Sequence, residues 1–288
     1  MKIIISKFII SALVLTFALT AQSRAVSYAY SNIQVPGSTS TSPTGINNQG
    51  EVVGNYQSSS GVFGFWLSNG TYTTISCPNA TTGTFAVGIN DNGVIVGYYG
   101  TTFQNYGFVY TNGTCRTLPD FNGAATYPSG INNSGIIVGY YIVNDLWHGF
   151  ELQGGTYKEV SAPNSTQTIA FGINSSGDIS GTYYETATTP HGFLLHNGTY
   201  HTIDVPNSGS TTQGAGLNNK DLIVGSYKDP NSLTDEGYVT NSTKFFELIF
   251  PGSVTTFPVA INDSNVIVGN YFNGGVNPSG FMATPSAK

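Results

Sequence analysis

The stretch GINDNGVIVGYY, residues 88–99, occurs in six related copies that begin at Gly45, Gly88, Gly130, Gly172, Gly216 and Ala260. The steps between them are 43, 42, 42, 44 and 44 residues. A fixed period of that size marks a repeated supersecondary unit, which buries its apolar surface by stacking on its neighbours. Within each copy a turn reads NNQG, NDNG, NNSG, NSSG, NNKD or NDSN. Its last position is Gly50, Gly93, Gly135, Gly177, Asp221 or Asn265, the residue types that best tolerate positive φ. This predicts a left-handed residue that closes a tight antiparallel turn. Asn47, Asn90, Asn132, Asn174, Asn218 and Asn262 open the turn, where a short amide bonds to backbone two residues on.

The strand that follows carries Val52, Ile95, Ile137, Ile179, Ile223 and Ile267, β-branched in every copy. Its neighbours are mostly apolar too, which predicts cover on both faces. Gly54, Gly97, Gly139, Gly181, Gly225 and Gly269 interrupt it, implying a bulge or a close backbone approach. Each unit then shows a Gly-aromatic pair (Gly64-Phe65 through Gly280-Phe281), followed in four of the six by a turn such as Asn69-Gly70, and proline-ended strands come next in the series. A strand of small residues, TFAVGI in the second unit, leads back to the repeated stretch.

Four antiparallel strands per unit predict an all-β fold, a six-bladed β-propeller. The first proline-ended strand, residues 28–35, has no unit of its own, and the last unit stops after its Gly-aromatic strand. The N-terminal strand is therefore expected to be the outer strand of the sixth blade, closing the ring and removing its sheet edges. The small-residue strand is placed innermost, the VIVG strand second and the proline-ended strand outermost. Connections in a meander alternate between faces, so the two longer, variable connections of each blade share one face. That loop face is the expected binding surface.

Residues 1–25 read separately. Lys2 and Lys7 precede an apolar run from Phe8 to Ala21, and Ser23-Arg24-Ala25 offers a small-residue cleavage site. The run is short of the roughly 20 residues of a membrane span, so a cleaved signal peptide is expected, with an uncleaved anchor as the alternative. The single propeller domain then spans 26–288. Without Lys2, Lys7 and Arg24 the chain holds 6 basic against 15 acidic residues, a formal charge of −9. That disfavours nucleic acid and anionic membrane surfaces as partners. Charged residues make up only 8% of the chain, leaving solubility to Asn, Ser, Thr and Gly.

The segment HGFLLHNGTYHTIDVP (His191 to Pro206), followed by GLNNKDLIVG (Gly216 to Gly225), resembles the HAF-type extracellular repeat of bacterial secreted proteins. His-Gly-Phe replaces the family's His-Ala-Phe at His148 and His191, and the other four units lack the histidine. The resemblance covers the mature chain and implies an exported, propeller-like protein, secreted or periplasmic. It implies no activity and no catalytic residue.

The predicted inner strands, SPTGI, TFAVGI, TYPSGI, TIAFGI, TQGAGL and TFPVAI, contain no Asp, Glu, His, Lys, Arg or Cys. They offer no acid–base pair and no ligand cluster, so no catalytic residue, metal or cofactor is expected. His148 and His191 are read as packing beside the aromatic pair rather than as a shared metal or proton-transfer site. Asp91 and Asp263 are read as turn residues rather than calcium ligands, because four of the six copies lack the aspartate. Sequons such as Asn69-Gly70-Thr71 are read as hairpin turns.

Cys77 and Cys115, the only cysteines, fall near opposite ends of consecutive outer strands. At about 3.3 Å per residue that exceeds the roughly 7 Å Cα reach of a bridge, and no disulfide is expected.

The remaining candidates are aromatic residues assigned to the variable connections of blades two and three, Phe103, Tyr106, Tyr127 and Trp147, suited to stacking on sugars or peptides. The functional expectation is an exported, monomeric, non-catalytic propeller that binds a glycan or a surface protein through its loop face. The alternative is a hydrolase or lyase on the same scaffold, which needs two carboxylates, or two histidines and a carboxylate, within about 10 Å at the channel mouth. A purely structural envelope role is the third reading.

Overall fold

The computed structural model describes residues 27–206, 208 and 211–286; the expected signal peptide lies outside them. Twenty-four strands, numbered β1–β24 in chain order, form six four-stranded antiparallel sheets. Blade one runs β2 (Ser40–Ile46), β3 (Val52–Ser58), β4 (Gly61–Ser68), β5 (Thr71–Ile75) from inside to outside, and blades two to five repeat that order. Blade six has the order β22-β23-β24-β1 from inside to outside, where β1 is Tyr28–Ile33 and β24 is Ser279–Pro285. Tyr28 pairs with Pro285 and Ile33 with Gly280, so the N-terminal strand closes the ring as expected. The protein is a six-bladed β-propeller.

The core lies between blades rather than within them. The Gly-aromatic pair supplies Phe65, Phe108, Phe150, Phe193, Tyr238 and Phe281, all buried, each in a cluster with residues of a neighbouring blade. Full burial of such a side chain contributes about 2–3 kcal/mol. In the second tyrosine column, Tyr56, Tyr99, Tyr141, Tyr183, Tyr227 and Tyr271, every hydroxyl but that of Tyr141 ties the second strand to the outer strand. The Tyr56, Tyr99 and Tyr183 hydroxyls meet Thr74, Thr117 and Thr202 at 2.9–3.0 Å, and Tyr271 donates to Asn32 at 3.1 Å.

Inner strands meet backbone to backbone. A Cβ on Gly45 would sit 2.7 Å from the Val87 carbonyl, and one on Gly88 would sit 2.9 Å from the Ser129 carbonyl. This contact, repeated around the ring, narrows the channel to a cavity of about 100 Å³ lined by residues such as Thr44, Val87, Ser129, Phe171 and Val259. The bulge lies in the inner strand, between Pro43 and Gly45 in blade one, opposite the interrupting Gly54. The turn closers all have positive φ, from 57° at Asp221 to 86° at Gly177.

The asparagine that opens each turn acts twice. In blade three the Asn132 Oδ1 accepts from the Ser134 and Ile136 amides, while its Nδ2 donates to the Asn174 carbonyl of the next blade at 3.1 Å. Asn47, Asn90, Asn218 and Asn262 make the same step to the next blade at 3.0–3.2 Å, the last returning to Asn47. Asn174 instead donates to Asp178 in its own turn and to Asp221 of blade five. Six buried amides thus form a closed ring on the tight-turn face.

One expectation is corrected. Cys77 and Cys115 form a disulfide, with Cα atoms 5.5 Å apart. Cys77 is not on the outer strand: β5 ends at Ile75, and the chain then crosses to blade two. There the Cys77 amide bonds to Thr84 Oγ1 of β6 (Gly83–Ile89) at 3.0 Å, and Cys77 packs with Tyr99 and Phe108. Measuring along parallel strands fails because the crossing segment leaves the strand direction and lies on the next blade.

Two outcomes test this description. The unfolded, non-reduced protein should show no titratable thiol, and Cys115→Ser should lower stability by about 4 kcal/mol on loop-closure grounds for a 38-residue separation; two free thiols would remove the staple. Asn132→Ala, which orphans buried backbone groups in two blades, should cost about 3 kcal/mol in urea unfolding, whereas the exposed Asn133→Ala should cost under about 1.

Candidate functional site

Both ends of the channel carry groups worth testing for chemistry. At the tight-turn end the residues after the ring asparagines form a second circle: Asn48, Asp91, Asn133, Ser175, Asn219 and Asp263. Asn48 Nδ2 donates to Asp91 Oδ2 at 3.0 Å and to Asp263 Oδ2 at 2.8 Å, which holds two carboxylates within about 6 Å of each other. The separation demanded of a hydrolase or lyase is therefore met.

The environment of Asp91 does not favour the protonated form that a general acid needs. Burial pushes the Asp91 carboxyl up, but hydrogen bonds from the Asn133 side chain and from the Asn48 backbone and side chain outweigh it and hold it below its ordinary value. Asp263 accepts from the Asn219 amide at 2.8 Å and from Asn219 Nδ2 at 2.7 Å, besides Asn48. A general acid must carry a proton near neutral pH. These carboxylates instead accept hydrogen bonds that tie one blade to the next, in keeping with their reading as turn residues.

The histidines do not converge. His148 stacks on Tyr141 with ring centroids 5.1 Å apart and approaches Glu159 at 3.8 Å. His191 stacks on Tyr183 at 5.2 Å, with Nδ1 3.0 Å from Asp204 Oδ1. Each packs in its own blade, beside the aromatic pair, with a differently placed carboxylate. Among the described residues no three His, Cys, Asp or Glu side chains gather in a metal-binding arrangement.

The loop-face end of the channel is different. One residue toward that face from the bulge region, each inner strand pairs with its second strand: Ser42 with Asn55, Phe85 with Tyr98, Tyr127 with Tyr140, and Phe257 with Asn270. The matching residue of blade five, Gln213, is exposed, so this layer opens to solvent. In blades two and three it is a run of four half-buried rings. Phe85 stacks on Tyr98 at 4.8 Å, Tyr98 meets Tyr127 edge-on at 5.0 Å, and Tyr127 stacks on Tyr140 at 4.7 Å. Asn105 Nδ2 bonds to the Tyr127 hydroxyl at 3.0 Å and fixes that ring. Burial raises the Tyr98 and Tyr140 hydroxyls above their ordinary pKa, with neighbouring tyrosines adding to it, so both remain neutral donors. In blade one the layer is polar, Ser42 with Asn55, and in blade six Asn270 stands beside Phe257; the Oδ1 atoms of Asn270 and Asn55 are buried with no hydrogen-bond donor.

The four aromatic candidates fall in different places. Tyr127 is part of the ring run. Trp147 is on β12 (Leu146–Gln153), 5.7 Å from Tyr184 in blade four, and shares a sheet face with Tyr140, because Tyr140 pairs with Gly149 and Ile142 with Trp147. Tyr106 stacks on Tyr99 at 5.6 Å and packs against the cluster between blades one and two. Phe103 stands alone at the β7–β8 tip, between β7 (Ile95–Gly100) and β8 (Asn105–Thr111), 96% exposed. Sequence reasoning missed Phe85, Tyr98 and Tyr140, along with Asn55 and Asn270. The signal was the variable column Asn55, Tyr98, Tyr140, Thr182, Ser226, Asn270, directly beside the column that is tyrosine in every copy.

No protein-family model matches the chain, and no curated protein matches it. Solved structures do. A candidate TolB from Agrobacterium tumefaciens is similar with a TM-score of 0.60 at 11% identity, over 91% of this chain and 99% of that one. Virginiamycin B lyase from Staphylococcus aureus gives 0.51 at 15% identity, over 90% and 89%. An aldose sugar dehydrogenase from Streptomyces coelicolor gives 0.52 at 8% identity, over 90% and 98%. At such identities the likeness shows the propeller fold, which hosts many unrelated functions.

Proposed function

We propose that this is an exported, non-catalytic propeller that binds an extracellular glycan through its loop face. The observation that carries the reading is an asymmetry between the two faces. Every exposed large hydrophobic residue among those described belongs to the hairpin tips or inter-blade connections of the loop face, with Phe103, Leu233 and Val276 at 96, 66 and 93% exposure. The opposite face is closed by the asparagine ring and its Asn and Asp collar. Variable connections held on a regular scaffold are where binding residues concentrate.

Export is supported by the charged-then-apolar leader and by the disulfide, since such bridges persist in oxidising compartments. The net charge of the mature chain sets the partner apart from nucleic acid and anionic lipid. The enzyme alternative draws on the Asp91–Asp263 spacing, but both carboxylates are engaged in inter-blade bonds and Asp91 is held ionised.

Capture of glycans and envelope fractions on immobilised mature protein tests the proposal. Trp147→Ala on the loop face should weaken capture about tenfold, the scale of an aromatic stacking contact, and Asn133→Ala on the opposite face should leave it unchanged. Release of shortened or unsaturated products from any captured polymer would overturn the non-catalytic reading.

A further inference from the structure

We infer that the loop-face mouth of the channel is a binding site for a neutral saccharide, held between the Phe85–Tyr98–Tyr127–Tyr140 ring run and the amide oxygens of Asn55 and Asn270. This rests on the reading of the loop face as the ligand face, and it names the site and the ligand chemistry within it.

Three features converge on that chemistry. The first is the aromatic run, which presents half-buried rings at centroid spacings of 4.7–5.0 Å across two blades. Such rings offer flat apolar surface to the C–H faces of a pyranose, and the neutral hydroxyls of Tyr98 and Tyr140 add polar edges. The second is the pair of orphaned acceptors. Buried polar atoms are nearly always hydrogen-bonded, and an unpaired one costs about 1–3 kcal/mol. Asn55 and Asn270 occupy the same column in adjacent blades, and both Oδ1 atoms lack a donor. A ligand that satisfies them must bring O–H or N–H groups and meet them as these two half-buried side chains turn toward the mouth, since neither Oδ1 is open to solvent.

The third feature is charge. The inner and second strand residues of this layer are Ser, Asn, Phe, Tyr, Ile, Thr and Gln throughout, with no ionisable group other than tyrosine. A charged ligand would be desolvated there without a counter-charge, a heavy cost. The ligand is therefore uncharged, rich in donors and flat-faced. A neutral hexose chain has all three properties.

The position fits as well. Asn55 lies on the strand that packs against β6, which carries Phe85, so the polar and aromatic parts are contiguous around the mouth. The constriction formed by Gly45 and its equivalents limits how far a ligand can enter, so a saccharide would lie across the mouth instead of threading the channel.

Calorimetric titration of the mature, disulfide-intact protein with cellohexaose, laminarihexaose and maltohexaose tests this. At least one should bind, and Tyr127→Leu and Asn55→Ala should each weaken it at least tenfold. Asn55→Ala deletes a buried acceptor that nothing in the protein satisfies, so its melting temperature should equal or exceed that of the parent. That readout separates a ligand group from a structural one, which would lower it. If binding survives both substitutions but falls with Trp147→Ala, the mouth assignment is overturned while the loop face remains the ligand face. If none of the three saccharides binds, the saccharide assignment is overturned, and capture of envelope fractions decides the broader reading separately.

Discussion

The fold depends on a single amide used at both ends. An asparagine side chain has an acceptor and two donor hydrogens on one short stem. At each turn its oxygen bonds the amides two and four residues on, and in five of the six its nitrogen reaches the carbonyl of the next blade. Asp could close the turn but not donate, and Gln is too long to do both. Repetition around six blades converts a local turn preference into ring closure, completed from Asn262 to Asn47 across a sequence separation of 215. Blade four shows what happens when the turn changes. Asp178 stands where four of the other five copies are apolar; it accepts from Asn174 and takes His196 on its other oxygen at 3.0 Å, and the link onward passes to Asp221 at 3.5 Å.

That ring, with the glycine contacts beneath it, sets where chemistry can occur. One end of the channel is closed by buried amides and a collar whose carboxylates are committed to inter-blade bonds. The middle is a small apolar cavity. What remains is the other end, where the inner and second strands reach solvent and the connections vary. The propeller is thus uniform in sequence and bonding on one face and variable on the other.

The variable positions are not confined to loops. Within the repeated stretch, the second tyrosine of GYY is tyrosine in all six blades and ties second to outer strand in five, while the first is Asn, Tyr, Tyr, Thr, Ser or Asn. A strand gives its two faces to two neighbours, so adjacent columns of one motif can serve different ends. Only Tyr127 among the four aromatic candidates joins the ring run, and Tyr106, which pairs with Tyr99 over the core, shows that aromatic character alone does not mark a recognition surface.

The sequence by itself determined the period, the four strands of each blade, their order, the left-handed turn closers and the closure of blade six by the N-terminal strand. These follow from local backbone preferences and from the count of edges, which a linear string records. The tertiary structure decided the Cys77–Cys115 bridge, the onward donor bonds of the ring asparagines, and the meeting of Phe85, Tyr98, Tyr127 and Tyr140 opposite Asn55 and Asn270. Each of those depends on the angle at which one twisted blade packs on the next. Neither periodicity nor spacing carries that angle, so contacts between blades stay hidden until the ring is built.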